Sequence, residues 1–206
     1  MDRGLNAIAK APFVVPAVTT PTFRVNPVSP ADNASATPAP PAMTRYFVKL
    51  ETKDHAPWLA AVRTREIILA VFRSWHGERH GRILCATVLP DVVYILLELA
   101  EGHEITQVIA GWKAATRRAA GYAETFQQEF GGHRLWTADE AEDCALYIFT
   151  KPYRQRLLAP DEIWPAYWAP DPTGFKFVAE LNPAGGPATE WLAWPDDRFE
   201  GLTHGV

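Results

Sequence analysis

At 206 residues the chain has room for one substantial core with appendages, and 48% hydrophobic and 12% aromatic content marks it as globular. A formal charge of −4 excludes the bulk attraction to nucleic acid that a strongly basic protein has. No apolar run approaches the ~18 residues of a membrane span and the N-terminus lacks signal-peptide features, so the expectation is a cytoplasmic protein with no membrane partner.

Residues 1–43 hold eight of the 18 prolines and only five charged residues. With neither a strand nor a helix period, this segment reads as disordered, Pro/Ala-rich and extended. Met43, the second of two methionines, closes it and is the expected translation start, which would place the segment upstream of the true protein.

An ordered domain is expected over residues 44–168. From Arg45 to Thr52, Phe47, Lys49 and Glu51 alternate with Tyr46, Val48 and Leu50, the pattern of a half-buried strand. Thr64 reads as the N-cap of an amphipathic helix carrying Ile67, Ile68, Val71, Phe72 and Trp75. Beyond Gly77 and Gly81, residues 83–89 form a strand. Pro90 and Asp91 make a tight turn, and residues 92–99 return as a second β-branched strand. Cys85 lies in this hairpin and Cys144 in a later apolar stretch; both read as small buried hydrophobes in a reducing compartment. A helix over residues 106–120 puts Val108, Ile109, Trp112 and Ala115/Thr116 on one stripe. A short strand at 133–136 precedes a helix opened by a capping box, Thr137 with Glu140, which must stop before Pro152.

The order β-α-β-β-α-β-α predicts an α+β fold: a ferredoxin-like split βαβ sheet (β-α-β-β-α-β), two helices on one face, and an additional helix carrying Tyr147. Residues 169–206 read as a loosely attached Pro/Gly/Trp-rich tail with one strand at 175–181. That tail has Lys176 and Arg198 against six acids, whereas residues 44–170 carry 15 Lys/Arg against 16 Asp/Glu. Any nucleic-acid affinity must therefore come from a local basic patch. The six histidines show no convergent spacing, and the His76/His80 pair is interrupted by Gly77.

Three segments carry a resemblance: Thr87-Val-Leu-Pro-Asp-Val-Val-Tyr-Ile-Leu-Leu97, Trp112-Lys-Ala-Ala-Thr-Arg-Arg118 and Leu146-Tyr-Ile-Phe-Thr-Lys-Pro-Tyr-Arg-Gln-Arg-Leu157, the last followed by Ile163-Trp-Pro165. In this order, with Phe126-Gln127 and His133 between them, they resemble the IS200-like, REP-associated tyrosine transposases (Y1 transposases of the HUH superfamily). The resemblance covers roughly residues 45–168. In that family a tyrosine attacks a DNA phosphodiester while Mg²⁺ or Mn²⁺ polarises the phosphate. Two His on one strand and an Asn or Gln four residues after the Tyr hold the metal. Carried over, Tyr147 takes the nucleophile position, while Val92, Tyr94 and Lys151 take the three ligand positions.

The resemblance thus implies a degenerate metal motif, no metal cofactor and no metal-dependent DNA cleavage. Tyr147 is then either a core aromatic or a residual nucleophile beside the Lys151 cation. The bordering basic residues Arg45, Lys49, Lys113, Arg117, Arg118, Lys151, Arg154 and Arg156 are either solvated charges or a remnant groove. Such a groove would hold single-stranded or hairpin DNA, with bases stacking on Trp112 or Tyr122. Three functions stay open: a DNA-binding domain without cleavage, an active tyrosine transposase using other ligands, or a protein-interaction scaffold. Related proteins occur as monomers and as dimers, so a homodimer is compatible with the resemblance.

Overall fold

Alternating apolar residues along Met43–Glu51 (β1) bury Phe47, Val48 and Leu50 on both sides of the strand, as a strand with cover on both faces requires. The computed structural model describes residues 43–77, 81–121 and 126–195. Then come helix α1 (Val62–Trp75), strands β2 (Gly81–Val88) and β3 (Val92–Ala100), helix α2 (Ile105–Ala120), β4 (Gly131–Leu135) and α3 (Ala138–Arg154). A short β5 (Tyr167–Trp168), a 3₁₀ turn at Lys176–Glu180 and the single-turn α4 (Thr189–Leu192) complete the order. The expected segment 1–43, apart from Met43, lies outside the described residues, as do Tyr122, His80 and His204.

The strands form one antiparallel sheet in the order β4-β1-β3-β2-β5. Its first four members have the order expected of the split βαβ plan, and β5 adds an edge beside β2. The β2–β3 hairpin turns at Pro90-Asp91, closed by the Leu89 N–H donating to Val92 O at 2.8 Å. Helices α1 and α2 pack together through Phe72 and Trp112 (centroids 5.2 Å apart) and Trp75 and Trp112 (5.0 Å). They cover the sheet face bearing Val48, Leu50, Val93, Ile95 and Leu97. Helix α3 covers the other face. Among the described residues no helix is long and apolar enough to cross a membrane.

Four sequence expectations change. Helix α1 begins at Val62 with Ala61 as cap, and Thr64 is buried inside its first turn. Helix α3 opens at Thr137 with the expected capping box: the Glu140 N–H donates to Thr137 Oγ1 at 3.0 Å and the Thr137 N–H to Glu140 Oε2 at 3.2 Å. It then runs through Pro152 to Arg154, because a proline in the last turn removes one ladder donor and leaves only two helical residues beyond it to hold. Residues 175–181 form a 3₁₀ turn and not a strand.

The described part of the tail is also not loosely attached. Phe177 and Trp191 are buried, the Phe177 N–H donates to Glu142 on α3 at 3.0 Å, and Asn182 Nδ2 donates to Pro160 O at 2.8 Å. At Gly186 a Cβ would meet Pro160 O at 1.9 Å, so the chain passes too close there for any side chain.

Candidate active site

Antiparallel register puts Lys49 opposite Tyr94 and Glu51 opposite Val92 on the sheet face under α3. A strand shows alternate residues to one face, so Val92 and Tyr94 point together toward that helix. Tyr147 and Lys151 are one helical turn apart on α3 and face the same strands. The structure therefore brings the four positions together: the Tyr94 and Tyr147 rings stand perpendicular with centroids 5.5 Å apart, and Lys151 Nζ lies 4.8 Å from the Tyr147 centroid and 6.0 Å from that of Tyr94.

The space between them is filled. Phe47 packs on Tyr94 and on Tyr147, each at 6.0 Å, and on His133 at 5.7 Å. Val92, Tyr94 and Tyr147 are each 4–5% exposed. Burial pushes the Tyr94 hydroxyl well above the ordinary phenol range. The neighbouring Tyr147, through its charge and a hydrogen bond between the two hydroxyls, pushes it further. Burial also lowers the His133 pKa, partly offset by Glu140. A neutral phenol, a valine and an ammonium that carries only donors occupy the three ligand positions. These residues do not fit the divalent cation that the resembled family uses. Glu98, the next carboxylate along β3, is held by Arg45 Nε at 2.8 Å and Arg82 Nε at 2.5 Å. Arg82 was not among the sequence-predicted residues. Its signal was its place across the hairpin from Glu98.

The basic residues do not form one groove. Lys49 pairs with Glu51 at 2.8 Å, and Arg154 reaches Trp191 O at 3.5 Å. Arg117 and Arg118 are exposed on α2, across the sheet from Lys151. Arg156 sits just past α3 in the left-handed region (φ 57°). Lys113 is engaged inside the fold. Its ammonium donates to Gln127 O, Gln128 O and Glu129 O at 2.7, 3.1 and 3.1 Å, and burial lowers its pKa. With all three protons aimed at backbone, it clasps the loop before β4. Lys113→Ala is expected to destabilise the fold by about 1.5–3 kcal/mol in urea denaturation while leaving any DNA affinity unchanged. Trp112 is engaged there too: it is 3% exposed between Phe72 and Trp75 and offers no surface to a base. Cys85 and Cys144 are free and buried as expected, and burial pushes the Cys144 thiol up to about 12.

No family model matches the sequence, and neither does any curated protein. Among solved structures, that of a REP-associated tyrosine transposase bound to a REP hairpin overlaps this chain with a TM-score of 0.57. The two share 16% sequence identity, over 84% of this chain and 99% of that one. The fold is a tyrosine-transposase fold. A crystal structure described as a transposase from Deinococcus radiodurans R1 overlaps less well, with a TM-score of 0.41 and 13% identity over 62% of this chain and 99% of that one, and adds no argument. At these identities the likeness speaks to fold, and the chemistry rests on the residues at the site.

Proposed function

We propose that this chain is a transposase-fold DNA-binding protein that recognises single-stranded or hairpin DNA and performs no metal-dependent strand cleavage. The observation that carries the second half is the packed cluster of Phe47, Tyr94, Tyr147 and Lys151. An attacking phenol needs a scissile phosphate within about 3–3.5 Å and a Lewis acid on that phosphate. Here Tyr147 is 5% exposed, and the cation over its ring is a single ammonium, that of Lys151. One ammonium supplies a point charge, not the polarisation of a divalent ion. Hairpin binding is supported by the overlap with a protein bound to a REP hairpin.

A second reading, a protein-interaction scaffold, is favoured by how many of the basic side chains are already engaged. Lys49, Arg45 and Lys113 all have partners inside the fold, and the chain is net negative.

Incubating the full chain with labelled hairpin DNA, with and without Mg²⁺ or Mn²⁺, separates these readings. The expected result is a salt-sensitive mobility shift without a covalent adduct, at either metal. A metal-dependent adduct lost in Tyr147→Phe would make the protein an active transposase, and no shift at low salt would leave the scaffold.

A further inference from the structure

Trp136 is 74% exposed, an unusual use of the largest apolar side chain. It stands between β4 and α3, where its N–H donates to Glu140 Oε2 at 2.6 Å beside the capping box, so its backbone is fixed. The Arg134 guanidinium covers one face of the indole at 4.3 Å from the centroid, which holds the ring's orientation and leaves its other face open. Trp136 borders a hollow of about 400 Å³ whose walls include Met43, Arg45, Arg82, Glu98 and Leu135.

Glu98 accounts for the two arginines in that wall. It is 3% exposed and accepts from the Nε of each. Burial alone would raise its pKa, but Arg82 and Arg45 more than offset this and hold the carboxyl below its usual range. Both guanidiniums are engaged through Nε. The contacts to Glu98 do not use their terminal Nη groups, on side chains 36% and 57% exposed, and both residues line the hollow. Of the charged residues that line the hollow, Arg45 and Arg82 stand against Glu98 alone, so its wall is locally positive on a chain that is net negative.

We propose that this hollow is a binding site for one unpaired nucleotide of DNA, its base stacked on the open face of Trp136 and its phosphate on the Nη groups of Arg45 and Arg82. The proposal rests on the DNA-binding reading above and says where the single-stranded part of the ligand goes. Stacking on an indole suits any base, and guanidinium forks suit phosphate oxygens. A duplex keeps its base faces inside the stack, so the hollow selects unpaired nucleotides. Ala138 lines the hollow, and Tyr147 lies about 14 Å farther along α3 at 1.5 Å per residue. A change at Trp136 therefore leaves the tyrosine cluster intact.

Fluorescence anisotropy of the full chain tests this with a hairpin DNA labelled in its loop, either blunt or carrying a short single-stranded extension. The wild type is expected to prefer the extended hairpin. Trp136→Ala should weaken that complex by roughly 10- to 100-fold and abolish the preference, whereas Trp136→Phe, which keeps an aromatic face, should stay within about fivefold of wild type. All three should melt together, because the ring is exposed. Unchanged affinity of Trp136→Ala for the extended hairpin would overturn the hollow and leave the DNA-binding reading standing. Failure of the wild type to bind either probe would overturn both. A change in sedimentation without a change in DNA affinity would assign Trp136 to a protein interface and also overturn the proposal.

Discussion

Tyr147→Ala is expected to lower the unfolding free energy by about 3–5 kcal/mol in urea denaturation, and Tyr147→Phe by about 1–2 kcal/mol. The larger loss follows from the ring's surroundings. Phe47 and Tyr94 meet it at 6.0 and 5.5 Å, and only 5% of the residue is exposed, so its removal leaves a cavity between sheet and helix. The smaller loss is that of the hydroxyl partner of Tyr94, whose buried phenol would lose its hydrogen bond. A nucleophile poised in an open site behaves in the opposite way. Truncating it costs little stability and abolishes the chemistry, since the room it needs for substrate is room it does not pack. If Tyr147→Ala unfolds within about 1 kcal/mol of wild type, the ring is not core, and the packed-site reading fails with it.

Much of this frame was legible in the sequence, and the reasons differ by element. The Thr137/Glu140 capping box located the start of α3 to the residue, since two side chains three apart satisfy backbone donors that only a helix N-terminus leaves open. That Val92 and Tyr94 would stand opposite Tyr147 was an implication of the resemblance; period two on a strand and a four-residue step on a helix add only that each pair shares a face. Whether the gap between them was open or filled did not follow. Phe47 and His133 come from two other strands and meet there only in the fold.

The division of the basic residues was hidden for the same reason. Spacing shows that Lys113 and Arg117 share a helical face, but not that α2 lies across the sheet from α3 or that a loop carries three carbonyls to Lys113. Thr64 misled because a threonine before an apolar stripe caps a helix only when the chain turns there, and Ala61 turns first. Residues 175–181 misled because Phe175, Phe177 and Leu181 sit at even spacing. In a segment that docks on a helix instead of pairing with a strand, the same spacing fits a 3₁₀ turn.

A chain ending at Trp168 is expected not to fold stably, and in the full chain Trp191→Ala and Phe177→Ala should each cost about 3–5 kcal/mol. The cause lies in α3. From Cys144 to Thr150 seven consecutive residues are buried, nearly two full turns, so the helix is covered all round its circumference. The sheet can cover only one side. Phe177 covers another by packing on Phe149 at 5.3 Å, and Trp191 closes over Phe177 at 6.1 Å. Without these residues the outer side of α3 would expose Phe149 and its neighbours to water, a loss comparable with the whole stability of a domain this size. Because Phe177 and Trp191 touch, the double variant should lose less than the sum of the single losses, a coupling that a double-mutant cycle in urea measures directly. Far-UV circular dichroism of the shortened chain gives the sharper test. A cooperative melt matching the full chain would mean that α3 finds other cover and that the residues after Trp168 are dispensable to the fold.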